Sequence, residues 1–146
     1  MNELKGIPIA AAGAPPATGN ALPIVHEIET LLNELVVSGK AASIDLRSLP
    51  MLPGDYEQLQ RVLGEGEVSA TVEAFGPTRV RETAVSGVWW VTHYNAEDQV
   101  VAEFIEVAYV PEILKTHAAD ARQAVETLRS RLMQSAETTE GDANAG

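Results

Sequence analysis

The chain has 146 residues, 10 Lys and Arg against 21 Asp and Glu (net charge −11), no cysteine, and 45% apolar residues. That is enough for one domain with a real core and too short for two of ordinary size. Without cysteine, disulfides, thiolate-held clusters and a cysteine nucleophile are excluded. The acidity disfavours nucleic acids and anionic membranes, whose affinity comes from Lys and Arg on phosphates, and no apolar run approaches bilayer length. The N-terminus also lacks a secretory signal pattern, so the expectation is a cytoplasmic protein.

Residues 1–20 are rich in Gly, Pro and Ala and read as a flexible arm, with only Ile7 and Ile9 able to pin a short extended piece. From Ala21 to Ser38 the positions Ile24, Val25, Ile28, Leu31, Leu32, Leu35 and Val36 share one helical face, with Asn20 as the expected cap and Gly39 as the stop. Ala42 to Leu46 is a short strand candidate. Leu49-Pro50-Met51-Leu52-Pro53-Gly54 connects it to a second helix from about Asp55 to Leu63, closed by Gly64.

The period then changes from 3.6 to 2. Glu67 to Phe75 alternates, Gly76-Pro77 turns, Thr78 to Val85 returns, Ser86-Gly87 suggests a bulge or bend, and Val88 to Tyr94 and Gln99 to Val110 flank an Asn95–Asp98 hairpin loop. Pro111 opens a helix to about Met133 carrying Ile113, Leu114, Ala121, Val125, Leu128 and Leu132, and residues 135–146 read as a disordered acidic tail. Strands joined by two- to four-residue turns are antiparallel. The fold class expected is therefore α+β: a mostly antiparallel sheet of four or five strands, with the N- and C-terminal helices packed on one face, in a single domain over residues 21–134.

The candidate acids and bases are Glu65, Glu67, Glu82, Glu103, Glu106 and His93. Pairing around Glu97 would bring His93 to Glu103, and the alternative readings are an enzyme using Glu82, His93 and Glu103 or a structural subunit of another complex. No metal-ligand spacing or nucleophile–base pair stands out, so no metal, cofactor or enzymatic activity is expected. Trp89 and Trp90 are neighbours on one strand and point to opposite faces. One is core by default; the other is a candidate partner-binding anchor, rimmed by Arg79, Arg81 and Glu82. With Glu65 and Glu67 at the Gly64–Val68 joint, the expected partner-binding set is Glu65, Glu67, Glu82 and whichever of Trp89 and Trp90 faces outward. Cover for the second sheet face would come from the N-terminal arm, a second copy of the chain, or a client.

The run Gly64-Glu65-Gly66-Glu67-Val68, then Glu82-Thr83 and Gly87-Val88-Trp89, resembles the C-terminal conserved region of the HupH/HyaF hydrogenase-expression proteins. The similarity covers roughly Ile24 to Leu114 and is strongest from Leu63 to Val91. Longer members of that family carry more than one such region, and this chain has room for one. The resemblance implies a non-catalytic accessory protein in the maturation of membrane-bound [NiFe] uptake hydrogenases. Its partners would be the small subunit, which carries iron–sulfur clusters and a twin-arginine export signal, and other accessory proteins, with a homodimer possible.

Overall fold

The structure, a computed structural model, describes residues 13–145. Ile7 and Ile9 lie outside the described residues. The chain divides into two compact units, one ending at Glu112 and one beginning at Ile113. That boundary falls inside the single domain expected over 21–134.

The first unit runs α1 (Ala21–Ser38), β1 (Ala42–Asp45), a 3-10 turn (Leu46–Ser48), α2 (Pro53–Leu63), β2 (Ser69–Glu73), β3 (Pro77–Glu82), β4 (Val88–Tyr94) and β5 (Val100–Val107). The five strands form one sheet in the order β1-β5-β4-β3-β2, every neighbouring pair antiparallel. The fold is α+β, as the change of period required. Ile24, Ile28 and Leu35 of α1 and Leu59 and Leu63 of α2 pack on one sheet face against Ile44, Val88, Trp90, Ile105 and Val107. Gly39 ends α1 in the left-handed region (φ +75°), its N–H reaching the Leu35 carbonyl at 2.8 Å. In the central strand β4, Val88, Trp89, Trp90, Val91 and Thr92 are all buried. Since alternate side chains leave opposite faces, the sheet is dry on both sides at its centre; Val80 of β3, on the face of Trp89 and Val91, is 0% exposed.

Three local expectations change. Asn20 makes no cap bond to α1, because its side-chain amide donates to the Pro50 carbonyl at 2.7 Å. Asp55 does not start α2 but stands at its third position, after Pro53, and is fully buried. Its carboxylate accepts from Leu52 N–H (2.9 Å), Thr18 N–H (3.0 Å), Gly19 N–H (3.0 Å) and the Thr18 hydroxyl (2.7 Å). These bonds tie the segment from Pro16 onward to the start of α2, within the stretch expected to be a flexible arm: the Pro16 carbonyl also accepts Gly54 N–H at 2.8 Å, and a Cβ on Gly54 would stand 2.7 Å from that oxygen. An aspartate beside Pro-Gly suits a solvated helix start equally well, so its local sequence does not distinguish the buried carboxylate from an exposed one.

A 3-10 turn (Glu112–Leu114) carries the chain across that boundary, and the second unit contains α3 (Ala118–Ala145). The helix begins later than Pro111 and runs through most of the segment expected to be disordered. Within this unit, Val125, Leu128 and Leu132 of the stripe expected to face inward are exposed. One large apolar side chain per turn, diluted by Ala121 and Ala124 and set among Arg122, Arg129 and Arg131, makes a weak core face. Among the described residues no helix is long and apolar enough to cross a membrane.

Burial by itself pushes the Asp55 carboxyl up, but the bonds from Leu52, Thr18 and Gly19 outweigh it and hold the carboxyl well below its ordinary value of 3.8. With the folded value depressed, the contribution to stability is complete above the unfolded value and is lost as pH falls through the folded one. Asp55→Asn should lower the melting temperature by several degrees at neutral pH, since an amide turns donors toward donors. The gap from the parent protein should narrow steadily below pH 3.8, as followed by circular dichroism; a gap independent of pH would remove the carboxylate from the account.

Candidate partner-binding cleft

The site is built on the joint between α2 and β2. Gly64 closes α2 at φ +66°, ψ −168°, a backbone region essentially reserved for glycine. Its N–H donates to the Gln60 carbonyl at 2.8 Å. Gly66 then lies against the end of β3: its N–H donates to the Glu82 carbonyl at 2.9 Å, and a Cβ there would stand 2.4 Å from the Thr83 carbonyl oxygen. Two more bonds complete the seam, Glu82 N–H to Val68 and Ala84 N–H to Leu63, both 2.9 Å. The two glycines thus serve close backbone approach, and Glu65 between them is left exposed.

This seam borders a cleft of about 310 Å³, lined among others by Gln60, Glu65, Ser69, Arg81, Glu82 and Trp90. Such a volume is at the low end for small-molecule sites, roughly 300–1,000 Å³, and suits one or two side chains of a partner. The Arg81 side chain makes no ion pair or hydrogen bond within the described residues. With Glu65 and Glu82 opposing one guanidinium, and exposed Glu67 close by in sequence, the rim is net negative.

Of the residues singled out in the sequence, Glu65, Glu82 and Trp90 meet here, while Glu67 flanks the joint without lining the cleft. The outward tryptophan does not exist in this structure: Trp89 is 7% and Trp90 3% exposed. Each indole N–H is satisfied internally, Trp89 by the Ala108 carbonyl at 3.0 Å and Trp90 by a Glu103 carboxylate oxygen at 2.9 Å. Trp90 therefore forms part of the cleft wall and is not a free anchor.

The alternative catalytic trio is not assembled. The β4–β5 register sets Thr92 opposite Glu103 and His93 opposite Ala102, so His93 and Glu103 leave opposite faces. His93 Nδ1 instead lies 2.7 Å from the Thr78 hydroxyl, its ring edge-on to Phe104. Glu103 also accepts from the Thr92 hydroxyl at 3.3 Å. The nearby Tyr56 hydroxyl is pushed up by burial and then by the Glu103 charge. Glu82 is opposite Trp89, far along the ladder from the Thr78–His93 pair. Among the described residues no three His, Asp or Glu side chains converge to hold a metal. Gln60 and Ser69 carried no sequence signal, because only the folding of α2 over the β2–β3 edge makes them neighbours of Glu65.

Residues 18–135 match the family model of the HupH hydrogenase expression protein, C-terminal conserved region. The chain belongs to this family. It is 31% identical over 127 residues to the hydrogenase expression/formation protein HupH of Rhizobium leguminosarum bv. viciae, covering 86% of this chain and 45% of that one. It is 32% identical over 116 residues to HoxQ of Azotobacter vinelandii, likewise named a hydrogenase expression/formation protein, covering 80% and 36%. The chain thus spans less than half the length of these curated relatives. A solved structure of the hydrogenase expression protein HupH from Thiobacillus denitrificans ATCC 25259 superposes with a TM-score of 0.78 at 46% identity, covering 82% of this chain and 99% of that one. The three HupH-like runs come together in space: Glu82 and Thr83 receive the Gly64–Val68 joint, and the Thr83 hydroxyl donates to the Val88 carbonyl at 2.9 Å across the turn that contains Gly87.

Gly66→Ala should destabilise the protein by about 2 kcal/mol or more, since backbone and not a flexible side chain meets the new methyl. Emission from Trp90, isolated in a Trp89→Phe background, should shift to the red as the cleft wall opens. Gly13→Ala, with nothing within 4 Å of the new methyl, should change neither.

Proposed function

We propose that this chain is a non-catalytic accessory protein, a chaperone, in the maturation of a [NiFe] uptake hydrogenase. It acts in the cytoplasm and binds the small subunit or its precursor before export, beside other hydrogenase accessory proteins. The observation that carries this reading is the acidic cleft at the Gly64–Val68 joint, in a chain whose relatives are named hydrogenase expression/formation proteins. A net-negative rim with one arginine suits a basic, extended client segment of the kind found in an export signal. The groups of the rival enzymatic reading, Glu82, His93 and Glu103, are spread over two sheet faces, which favours binding over acid–base chemistry.

The direct test is co-purification of the tagged protein from cells expressing the hydrogenase operon, with the small-subunit precursor expected in the eluate. Charge on the rim acts mainly on encounter rate. Glu65→Lys/Glu67→Lys should therefore slow association with the precursor by about tenfold at low ionic strength. The deficit should shrink toward 1 M salt, where the screening length falls to about 3 Å. Unchanged capture at low salt, together with full rescue of hydrogenase maturation in a deletion strain, would move the binding surface elsewhere on the protein.

A further inference from the structure

Among the described residues the strand β2 is an edge of the sheet, paired only with β3. Edge strands are usually blunted by lysine, proline, a bulge or covering structure. Ser69-Ala70-Thr71-Val72-Glu73 has no lysine, proline or bulge, and Ser69, Thr71 and Glu73 are exposed. The direction of its free backbone groups follows from one bond. Glu82 N–H donates to the Val68 carbonyl, which makes Ser69–Arg81 a non-hydrogen-bonded pair. By alternation Thr71–Arg79 and Glu73–Pro77 are non-hydrogen-bonded as well. Pro77, which has no N–H, is tolerated opposite Glu73 for that reason. Ser69, Thr71 and Glu73 therefore turn their N–H and C=O groups away from the sheet.

We propose that a second copy of this chain pairs with this edge, β2 to β2 and antiparallel, about a two-fold axis at Thr71, and that each copy completes the other's cleft. The inference goes beyond the client-binding reading and stands on the edge strand alone. A two-fold interface must be self-complementary, and this register is. It pairs Thr71 with Thr71 and Ser69 with Glu73 in both directions, so all three outward-facing residues exchange both backbone bonds. It also places the half-buried Ala70 opposite Val72 on the face of Val80 and Val91. An axis at Ala70 would set Glu67 against Glu73, like charges in direct opposition, and would leave fewer outward groups paired.

Two side chains without partners among the described residues become accounted for. Arg81, Ser69 and Glu73 of the second copy fall in one row on one face, and the guanidinium passes over the small serine to the carboxylate. Phe75, fully exposed at the β2–β3 turn with a left-handed backbone (φ +52°), comes alongside Glu67 and Val68 of the second copy. Val68 lines the cleft and is itself exposed. Glu73 and Phe75 of one copy thereby supply the open side of the other's cleft.

Sedimentation equilibrium on the full chain should show a dimer. Thr71→Pro removes only outward-facing bonds and should give a monomer with unchanged circular dichroism, whose melting temperature no longer rises with protein concentration as the parent's does. Arg81→Glu should raise the dimer dissociation constant roughly fivefold, and Arg81→Glu/Glu73→Arg should restore it. The chain contains no cysteine, so Thr71→Cys provides a positive readout: a short bismaleimide should link two copies through that position, and a Glu57→Cys control on α2 should not link. A monomeric parent protein overturns the proposal. So does a dimer that survives Thr71→Pro or fails to link through Thr71→Cys, and so does an edge that takes up only a client strand.

Discussion

A buried carboxylate holds the first unit together. Asp55 gathers four donors from two stretches of chain, Thr18–Gly19 just before α1 and Leu52 just before α2. An unpaired buried charge is expensive, whereas a carboxylate with its lone pairs filled by backbone N–H groups is stable as an anion. The two helix starts are thereby fixed to one point, and with them the crossing of α1 and α2 over the sheet. Further polar contacts at that corner, among them Asn20 to the Pro50 carbonyl and Gly54 to the Pro16 carbonyl, extend the same clasp.

From that corner the position of the cleft follows. With its first turn fixed, α2 delivers Gly64 to the end of β3, and only residues without Cβ fit between the helix and the Glu82–Thr83 backbone. The motif that marks the chain as HupH-like is thus largely an instruction for backbone approach. Its acidic members are what the approach leaves at the surface. Family membership and the physical site meet at this seam: glycines and Thr83 make the joint, Glu65 and Glu82 give it its charge, and Trp90, held by Glu103, supplies the wall. The cleft opens beside the β2–β3 edge, so whatever occupies that edge also decides what the cleft can admit.

Much of the architecture could be read directly. The change from 3.6- to 2-residue periodicity after Gly64 separated helix from sheet, the short connections enforced antiparallel pairing, and Gly39 and Gly64 ended helices as expected. Glu65, Glu82 and a tryptophan were recognisable as neighbours because all three stand near the joint or on adjacent strands. The clasp was not legible, since Thr18 and Asp55 are 37 residues apart and neither is unusual in its own local sequence. The His93–Glu103 pairing failed for a reason of parity. The turn at Asn95–Asp98 sets Thr92, not His93, against Glu103, and a shift of one residue sends a side chain to the other face.

By itself, then, the sequence determined the element types, the antiparallel class, the acidic character and the resemblance to the HupH family, because each rests on local pattern or on composition. Only the tertiary structure decided that both tryptophans are buried and that Gln60, Ser69 and Arg81 share a cleft with Glu65. Those outcomes depend on how elements distant in the chain lie against one another. Alternation along a strand says that two indoles point apart, but whether either meets water is set by what packs on each face.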